Sequence, residues 1–541
     1  MKKVKKIVVI VIAMLMVMSG AVAGGAAANE APSEHRVAYK KTLDIVTPEP
    51  VIETYQGYHV PRTRGYTFMT EPAVPMLPVK SFSLVIPQTA EINNIQVVSA
   101  TKEELRGDYD ILPVQEPVPT GINTPVRFTP KNTAIYASSK PYPGTLFEYA
   151  GEGNLRDYRI LSIFVYPLQY NPAGKKLRFY KSITIEVTYT APSTESGELK
   201  RDEFASMVKA SVSNPEDVDA LPATATAAAS TALPPDAIDY VIITDRTLEA
   251  AFRGLADWKE AKSVPAAVVN VSWIESTYAG VDTQERIRNF ITDARFTWGT
   301  KWILLGGDTN VVPHREAYSN FQSWNERIPA DLYYADLDGT WDADGDSIYG
   351  EVADGIDFYP DVFVGRAPVD TVDEAKAFVN KTIAYEQGPS GYETTALLMA
   401  EYLDTFTDGA VTKEMIDDDY IPDHFSVTTL YESGGTLNKE HAKNELNKGY
   451  GIVNHVGHGN AGGIGTGPDA LYRADMDALN NGPNESIFYS LSCLSNAFEQ
   501  DSFSEHVILN PNGGGIAYIG NSRYGWYSPG NPGYGPSDLF D

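Results

Sequence analysis

Two short segments concentrate the reactive side chains of this chain. Cys493 is the only cysteine in 541 residues and follows the apolar run 487–491. Two of the eight histidines, His455 and His458, fall in the glycine-rich segment 451–460. A thiol is a poor nucleophile until it is ionised, and a neighbouring imidazole can shift its protonation or supply acid–base catalysis during acyl transfer. Gly457 and Gly459 flank His458; glycines there let the backbone come close to a substrate carbonyl and offer N–H groups to an oxyanion. The pair therefore suggests Cys–His acyl transfer. Two other readings compete with it. Cys493 as a small buried apolar residue and His458 as a turn residue would do no chemistry. His455-x-x-His458 as a metal pair would make a metallohydrolase, although the segment has the pattern of strand and turn rather than of the helix that aligns such ligands. His455 is expected to be structural.

Such residues need a rigid frame. From 237 onward, apolar runs at 239–244, 266–271, 302–305, 362–364, 396–400, 451–456, 487–491 and 515–519 read as strands. Helix-period segments at 248–261, 283–296, 372–385 and 439–448 alternate with them. That alternation predicts an α/β domain whose mainly parallel sheet is covered by helices on both faces. Ligand sites in such sheets gather outside the carboxyl ends of the strands. If the runs ending before His458 and Cys493 are neighbouring strands, both residues emerge at one edge. The 35 positions between them suffice for the crossover connection of a parallel pair.

The rest of the chain has a different character. Residues 35–192 are rich in Val, Ile, Tyr and Pro with period-two alternation, which indicates antiparallel β-structure. Residues 193–236 turn to Ala, Thr, Ser and Pro, the composition of an exposed, protease-accessible linker, with a short helix available at 203–211. Residues 1–23 combine Lys2, Lys3, Lys5 and Lys6 with an apolar run and an A-x-A site ending at Ala23, the form of a secretory signal peptide. The run is short of the roughly 20 residues of a spanning helix, so the mature chain is expected to be extracytoplasmic without a membrane span. With 43 basic and 71 acidic residues the formal charge is −28, which argues against nucleic acid as a partner. One cysteine excludes a disulfide framework within the chain.

A second cluster is acidic. Asp336, Asp338, Asp342, Asp344 and Asp346, with Glu351 beyond them, place carboxylates at alternating positions in a glycine-bearing loop. Like charges so crowded repel unless neutralised, and hard oxygen ligands suit a structural calcium. The familiar calcium loop has a glutamate at its twelfth position; counted from Asp342, that position is Ala353.

The ordered motifs carry a resemblance. Gly457-His458-Gly459, Ser492-Cys493 with Phe498 and Phe503-Ser504-Glu505, Gly514-Gly515-Ile516-Ala517 and Trp526-Tyr527-Ser528-Pro529 follow Asp331-Leu332-Tyr333-Tyr334, the segment 361–366, Tyr385-Glu386 and Ala400-Glu401. From about 237 onward the chain resembles peptidase family C25, the gingipains, of the caspase-like clan of cysteine peptidases. The resemblance implies a caspase-like α/β catalytic domain at 237–541; in the resembled family a helix follows the Pro-Gly-rich segment that here ends at Gly535. It also implies a β-rich propeptide domain, more weakly matched through 75–79 and 165–170, that acts as an intramolecular inhibitor. By the same resemblance Cys493 is the nucleophile and His458 the acid–base, the backbone N–H groups of Gly459 and Cys493 form the oxyanion site, and Glu401 is the acid associated with the histidine. Asp408 and Trp526 would line a pocket for an Arg or Lys side chain, and Lys200-Arg201 would be a consistent processing site. The implied protein is a secreted proenzyme-type cysteine endopeptidase acting on protein or peptide substrates without a catalytic cofactor. A non-catalytic exported surface or adhesion protein retaining the fold is the main alternative.

Overall fold

The computed structural model describes residues 36–121, 126–192, 203–221, 233, 237–321, 324–388 and 391–530. The signal segment and Lys200-Arg201 lie outside them.

The amino-terminal half is a sandwich of two antiparallel sheets. In one, the long strand Lys176–Pro192 pairs with Arg36–Val46, Glu91–Glu104 and Leu168–Asn171. In the other, Tyr158–Val165 pairs with Phe147–Leu155 and Pro78–Ile86. Alternation along these strands turns Ile183, Ile185 and Val187 inward against Leu84, Ile86, Leu161 and Ile163, all buried. Removing such side chains from water stabilises the sandwich by roughly 1.5–3 kcal/mol each. The segment expected to be an exposed linker is in part packed structure. Helix Glu203–Ser211 buries Phe204, Ala205 and Val208 on the outer face of the second sheet. Phe204 also stacks on Phe363 of the carboxy-terminal half, with centroids 4.4 Å apart. Large apolar residues at 204 and 208 are what a linker composition averages away.

The carboxy-terminal half is α/β, built on two parallel sheets, with small antiparallel hairpins between their strands. The first runs Ala266–Asn270, Tyr240–Thr244, Trp302–Gly306, Phe363–Ala367; the second runs Ser426–Tyr431, Thr395–Ala400, Ile452–Val456, Ser486–Leu491, Gly515–Gly520. Helices Glu249–Ala261 and Val372–Glu386 cover one face of the first sheet, and Thr283–Thr297 the other. Thr371 and Glu374 form a reciprocal capping box that starts the Val372–Glu386 helix. That helix also binds the second sheet. Its buried Lys381 ammonium donates to the carbonyls of Ile508, Asn510, Gly513 and Gly515 at 2.8–3.1 Å. Strand Ser426–Tyr431, helix Ala410–Asp419 and the hairpin of Arg315–Phe321 with Trp324–Ala330 were not anticipated from periodicity. The edge strand buries only Leu430, its other residues being exposed or half-buried, so it lacks the continuous apolar run of its neighbours.

Candidate active site

Strands Ile452–Val456 and Ser486–Leu491 are parallel neighbours, with Val456 opposite Leu491. Both are fully buried, and His458 and Cys493 each follow two residues later, at the carboxyl edge of the sheet. Leu494, immediately after the cysteine, has φ of 58°, a left-handed conformation that costs a non-glycine residue about 1–2 kcal/mol. Its N–H is held by the Arg523 carbonyl at 2.7 Å, which offsets that cost and fixes the turn. Gly459 lies against this turn. A Cβ there would stand 2.8 Å from Ser492 Cβ and 2.9 Å from the Cys493 carbonyl oxygen, so only glycine permits the approach. The bond from Gly465 N–H to the His458 carbonyl places Gly459 at a position of its hairpin whose amide turns away from the ladder. That amide is available to an oxyanion donor role.

The cleft between Cys493 and His458 holds a piece of the amino-terminal half. Residues Val118–Pro119 form an antiparallel pair with Trp526–Tyr527. The next residue, Thr120, donates its N–H to the Gly525 carbonyl at 2.7 Å. Its carbonyl accepts a hydrogen bond from His458 Nδ1 at 3.0 Å, and its hydroxyl lies 3.2 Å from Cys493 Sγ. One residue thus touches both reactive groups while its chain runs as an added strand. Thr120 and Cys493 are both fully buried. Burial pushes the thiol up to about 11, with the Thr120 contact opposing this only in part, so the sulfur under this strand is a neutral thiol.

Glu401 was expected beside the histidine, and it reaches that residue through the main chain. Its Oε2 accepts the His458 backbone N–H at 2.7 Å and its Oε1 accepts that of Gly467 at 2.6 Å. Burial raises its pKa to about 7 against the pull of these two donors. The carboxylate braces the loop that carries His458, a positioning role. The glycine at 465 makes room for it, since a Cβ there would lie 2.1 Å from Oε2.

His455 is a core residue. It is fully buried, with Nδ1 2.9 Å from Ser490 Oγ and Nε2 3.0 Å from the Gly465 carbonyl. Burial lowers its pKa to about 3. Both ring nitrogens are already engaged, so the metallohydrolase alternative built on His455 and His458 fails. Ser490 Oγ continues to Ser492 Oγ at 2.8 Å, linking His455 to the turn before Cys493.

The two residues expected in a basic-side-chain pocket are placed differently. Trp526 borders the cleft through its pairing with Pro119. Asp408 Oδ1 accepts the Ala410 N–H at 2.9 Å at the start of helix Ala410–Asp419, and the residue lines a groove of about 420 Å³ with Glu53, Arg62, Met415 and Tyr431. The aspartate on the Trp526–Tyr527 segment is instead Asp404, whose Oδ2 accepts the Tyr527 hydroxyl at 3.0 Å. Thr120 and Gly525 escaped sequence reasoning. Val118-Pro119-Thr120-Gly121 looks like any other turn-rich piece of the β-region, and nothing local marks its distant partner.

The acidic loop divides into two groups. Asp342, Asp344 and Asp354 bring carboxylate oxygens within 4.8 Å of one another, as do Asp344, Asp346 and Glu351. Asp336 and Asp338 stand apart, facing a cleft shared with the amino-terminal half.

With this geometry in view, comparison with known proteins is decisive for family. The profile of peptidase family C25 matches residues 233–537, and that of the C25 propeptide matches 47–220. The chain belongs to peptidase family C25. Gingipain R1 of Porphyromonas gingivalis is 22% identical over 482 residues, covering 86% of this chain and 43% of the gingipain. Gingipain R2 of the same species is 22% identical over 467 residues, covering 83% and 57%. An uncharacterized protein of Archaeoglobus fulgidus is 22% identical over 329 residues, covering 52% and 74%. The chain thus spans about half the length of the gingipains it matches. Among solved structures, the complex of Porphyromonas gingivalis RgpB pro- and mature domains has a TM-score of 0.42 at 17% identity, covering 54% of this chain and 66% of that one.

Proposed function

We propose that this C25 chain is a proenzyme of a cysteine endopeptidase in which Cys493 attacks the scissile carbonyl and His458 moves the proton. The observation that carries the reading is Thr120, held by His458, Cys493 and Gly525 while its chain pairs with Trp526–Tyr527 as an extended substrate would. In the processed enzyme, a substrate strand replaces 118–120. The Cys493 thiolate adds to the carbonyl carbon, the oxyanion takes N–H donation from Gly459 and Cys493, and the protonated imidazole delivers its proton to the leaving amine. Water then hydrolyses the acyl-enzyme. Until processing, the 118–120 strand keeps the thiol neutral and the cleft filled, so the prodomain is its own chain's inhibitor.

Substrates on this reading are proteins or peptides. A preference for Arg or Lys follows from the family resemblance through Asp408 and Trp526. One observation favours a second preference: the residue seated beside Cys493 is Thr120, small and uncharged, while Asp408 accepts the Ala410 N–H. Cleavage of a fluorogenic library by processed enzyme separates the two. Export rests on the 1–23 segment; among the described residues no helix is long and apolar enough to cross a membrane. Calcium at the 336–351 loop would be structural, with no part in proton or acyl transfer.

The deciding experiment is labelling by an acyloxymethyl-ketone probe of processed protein, with and without Cys493→Ala. Labelling and peptide hydrolysis that both vanish in the variant support the mechanism. Hydrolysis that survives the substitution ends the Cys493 mechanism, whereas processed parent protein that neither labels nor hydrolyses peptides leaves the non-catalytic surface protein as the better account of the fold.

A further inference from the structure

The imidazole of His455 neither moves the proton nor meets the substrate strand, yet its two hydrogen bonds lead to both loops that do the chemistry. On one side Nε2 lies 3.0 Å from the Gly465 carbonyl, and the N–H of the same Gly465 donates to the His458 carbonyl at 2.8 Å. On the other side Nδ1 lies 2.9 Å from Ser490 Oγ, which lies 2.8 Å from the Oγ of Ser492, the residue before Cys493. His455, Ser490 and Ser492 are all fully buried. The ring also packs directly under the His458 loop, since a Cβ at Gly457 would stand 2.8 Å from Nε2.

Elementary bonding fixes the direction of this chain. A carbonyl only accepts, so Nε2 carries the ring proton and donates to Gly465. Nδ1 is then bare, and Ser490 donates to it. The one hydroxyl proton of Ser490 is thereby used, so Ser492 donates to Ser490 Oγ. Burial holds the ring neutral, with a pKa of about 3, and the charges of Lys413 and His458 act in the same direction. A second ring proton would set donor against donor at Ser490. Only one arrangement of protons satisfies the chain, and a satisfied buried network is stiff.

The chain ends where an oxyanion would sit. Ser492 lies against Gly459, where a Cβ would stand 2.8 Å from Ser492 Cβ and 3.1 Å from its Oγ. The two N–H groups offered to the oxyanion belong to Gly459, next to His458, and to Cys493, next to Ser492. Both therefore hang from loops that one imidazole ties together. We propose that His455 is a positioning residue for peptide-bond hydrolysis, setting the spacing of the two oxyanion donors through Gly465 on one side and Ser490 with Ser492 on the other. The proposal rests on the Cys493–His458 reading. Because the oxyanion exists only after attack, an error in that spacing removes transition-state stabilisation and leaves substrate binding intact.

The test compares the parent with Ser490→Ala, His455→Phe and His455→Gln, each proenzyme being activated with an immobilised protease so that a slow variant is still processed. Ser490→Ala and His455→Phe should each lower kcat by about tenfold or more, with KM within about twofold of the parent's. His455→Gln, whose amide can donate to Gly465 and accept from Ser490, should recover most of that loss. Ser490→Ala combined with His455→Phe should be no slower than the slower single variant, because the two act through one chain. Alkylation of Cys493 by iodoacetamide, a displacement that forms no oxyanion, should keep the parent's rate and pH profile throughout. A His455 that merely fills the core would lower the melting temperature and leave kcat of the folded variants unchanged, or would slow alkylation and hydrolysis together; either result overturns the proposal. If His455→Phe does not fold, Ser490→Ala decides alone, and a kcat like the parent's removes the tie. Cys493→Ala, run alongside, separates this failure from that of the mechanism beneath it. Hydrolysis that survives Cys493→Ala overturns both readings, whereas hydrolysis that vanishes there and stays at the parent's rate in Ser490→Ala overturns this one alone.

Discussion

The amino-terminal half meets the peptidase domain at two sites of opposite chemistry. At the cleft of Cys493, Thr120 brings a donor, an acceptor and a hydroxyl, and each finds a counterpart. At the cleft of Asp336, Asn154 donates its backbone and side-chain N–H groups to Asp357 and Asp338, while its Oδ1 and both Asp336 carboxylate oxygens have no hydrogen-bond partner. The first contact is complete within the chain; the second leaves buried acceptor atoms unpaired.

The largest effect should come from the reacting groups themselves. Cys493→Ala and His458→Ala are each expected to lower kcat/KM of processed enzyme by about 10³-fold or more, since residues that act as a unit fail together.

Next comes the contact made by Thr120. Burial holds the Cys493 thiol near pKa 11 in the proenzyme, so at pH 8 almost none of it is thiolate. Because burial disfavours the charged form, withdrawing the 118–120 strand must lower the pKa. Alkylation by iodoacetamide at pH 8 should accelerate on the order of 10²-fold after processing, because the thiolate is the reacting form and its fraction grows as the thiol becomes more acidic. Equal rates before and after processing would show that the strand leaves the sulfur open.

How far the sequence anticipates this molecule depends on the kind of interaction. The eight apolar runs and four amphipathic segments of the α/β half recur as strands and helices because burial on both faces writes a continuous local pattern. His458 and Cys493 were placed at one edge by the same logic, and they are there. What stayed hidden depends on partners far away in the chain. Thr120 meets Cys493 across 373 positions, and Asn154 meets Asp338 across 184. Glu401 was associated with the histidine, and it holds His458 through the backbone amide, with that of Gly467 beside it, a contact that a sequence pattern of side chains does not record. The acidic loop looked like one site because its aspartates are evenly spaced, yet burial separates Asp336 from the rest.

A smaller effect sharpens the contrast between satisfied and unsatisfied buried groups. His455 is as buried as Asp336, but both its nitrogens have partners. Its folded pKa, about 3, lies below the unfolded value near 6.5, so the stability it contributes is fully present above pH 6.5 and is lost as pH falls toward 3. The slope approaches about 1.4 kcal/mol per pH unit within that window. Replacing it by Gln, which keeps a donor and an acceptor, should flatten the decline between pH 6 and 4 in urea melts. An unchanged slope would place the acid lability elsewhere.

The smallest effect is expected at the exposed acids. Asp344 and Glu351 lie at the surface end of the loop, and their oxygens approach those of Asp346 without burial to make the repulsion expensive. Water and salt already screen such charges. Calcium there would be held weakly, and Asp344→Asn should change the melting temperature by only about 1–2 °C, whether measured in calcium or in chelator, because a 1 kcal/mol change moves a domain of this size by about 2–4 °C. Asp336→Asn should behave in the opposite way and raise the melting temperature at neutral pH, because burial lifts the Asp336 pKa to about 8 and an amide carries no cost of protonation. A melting temperature of Asp344→Asn that falls by several degrees in calcium but not in chelator would show an ion held tightly on the exposed loop.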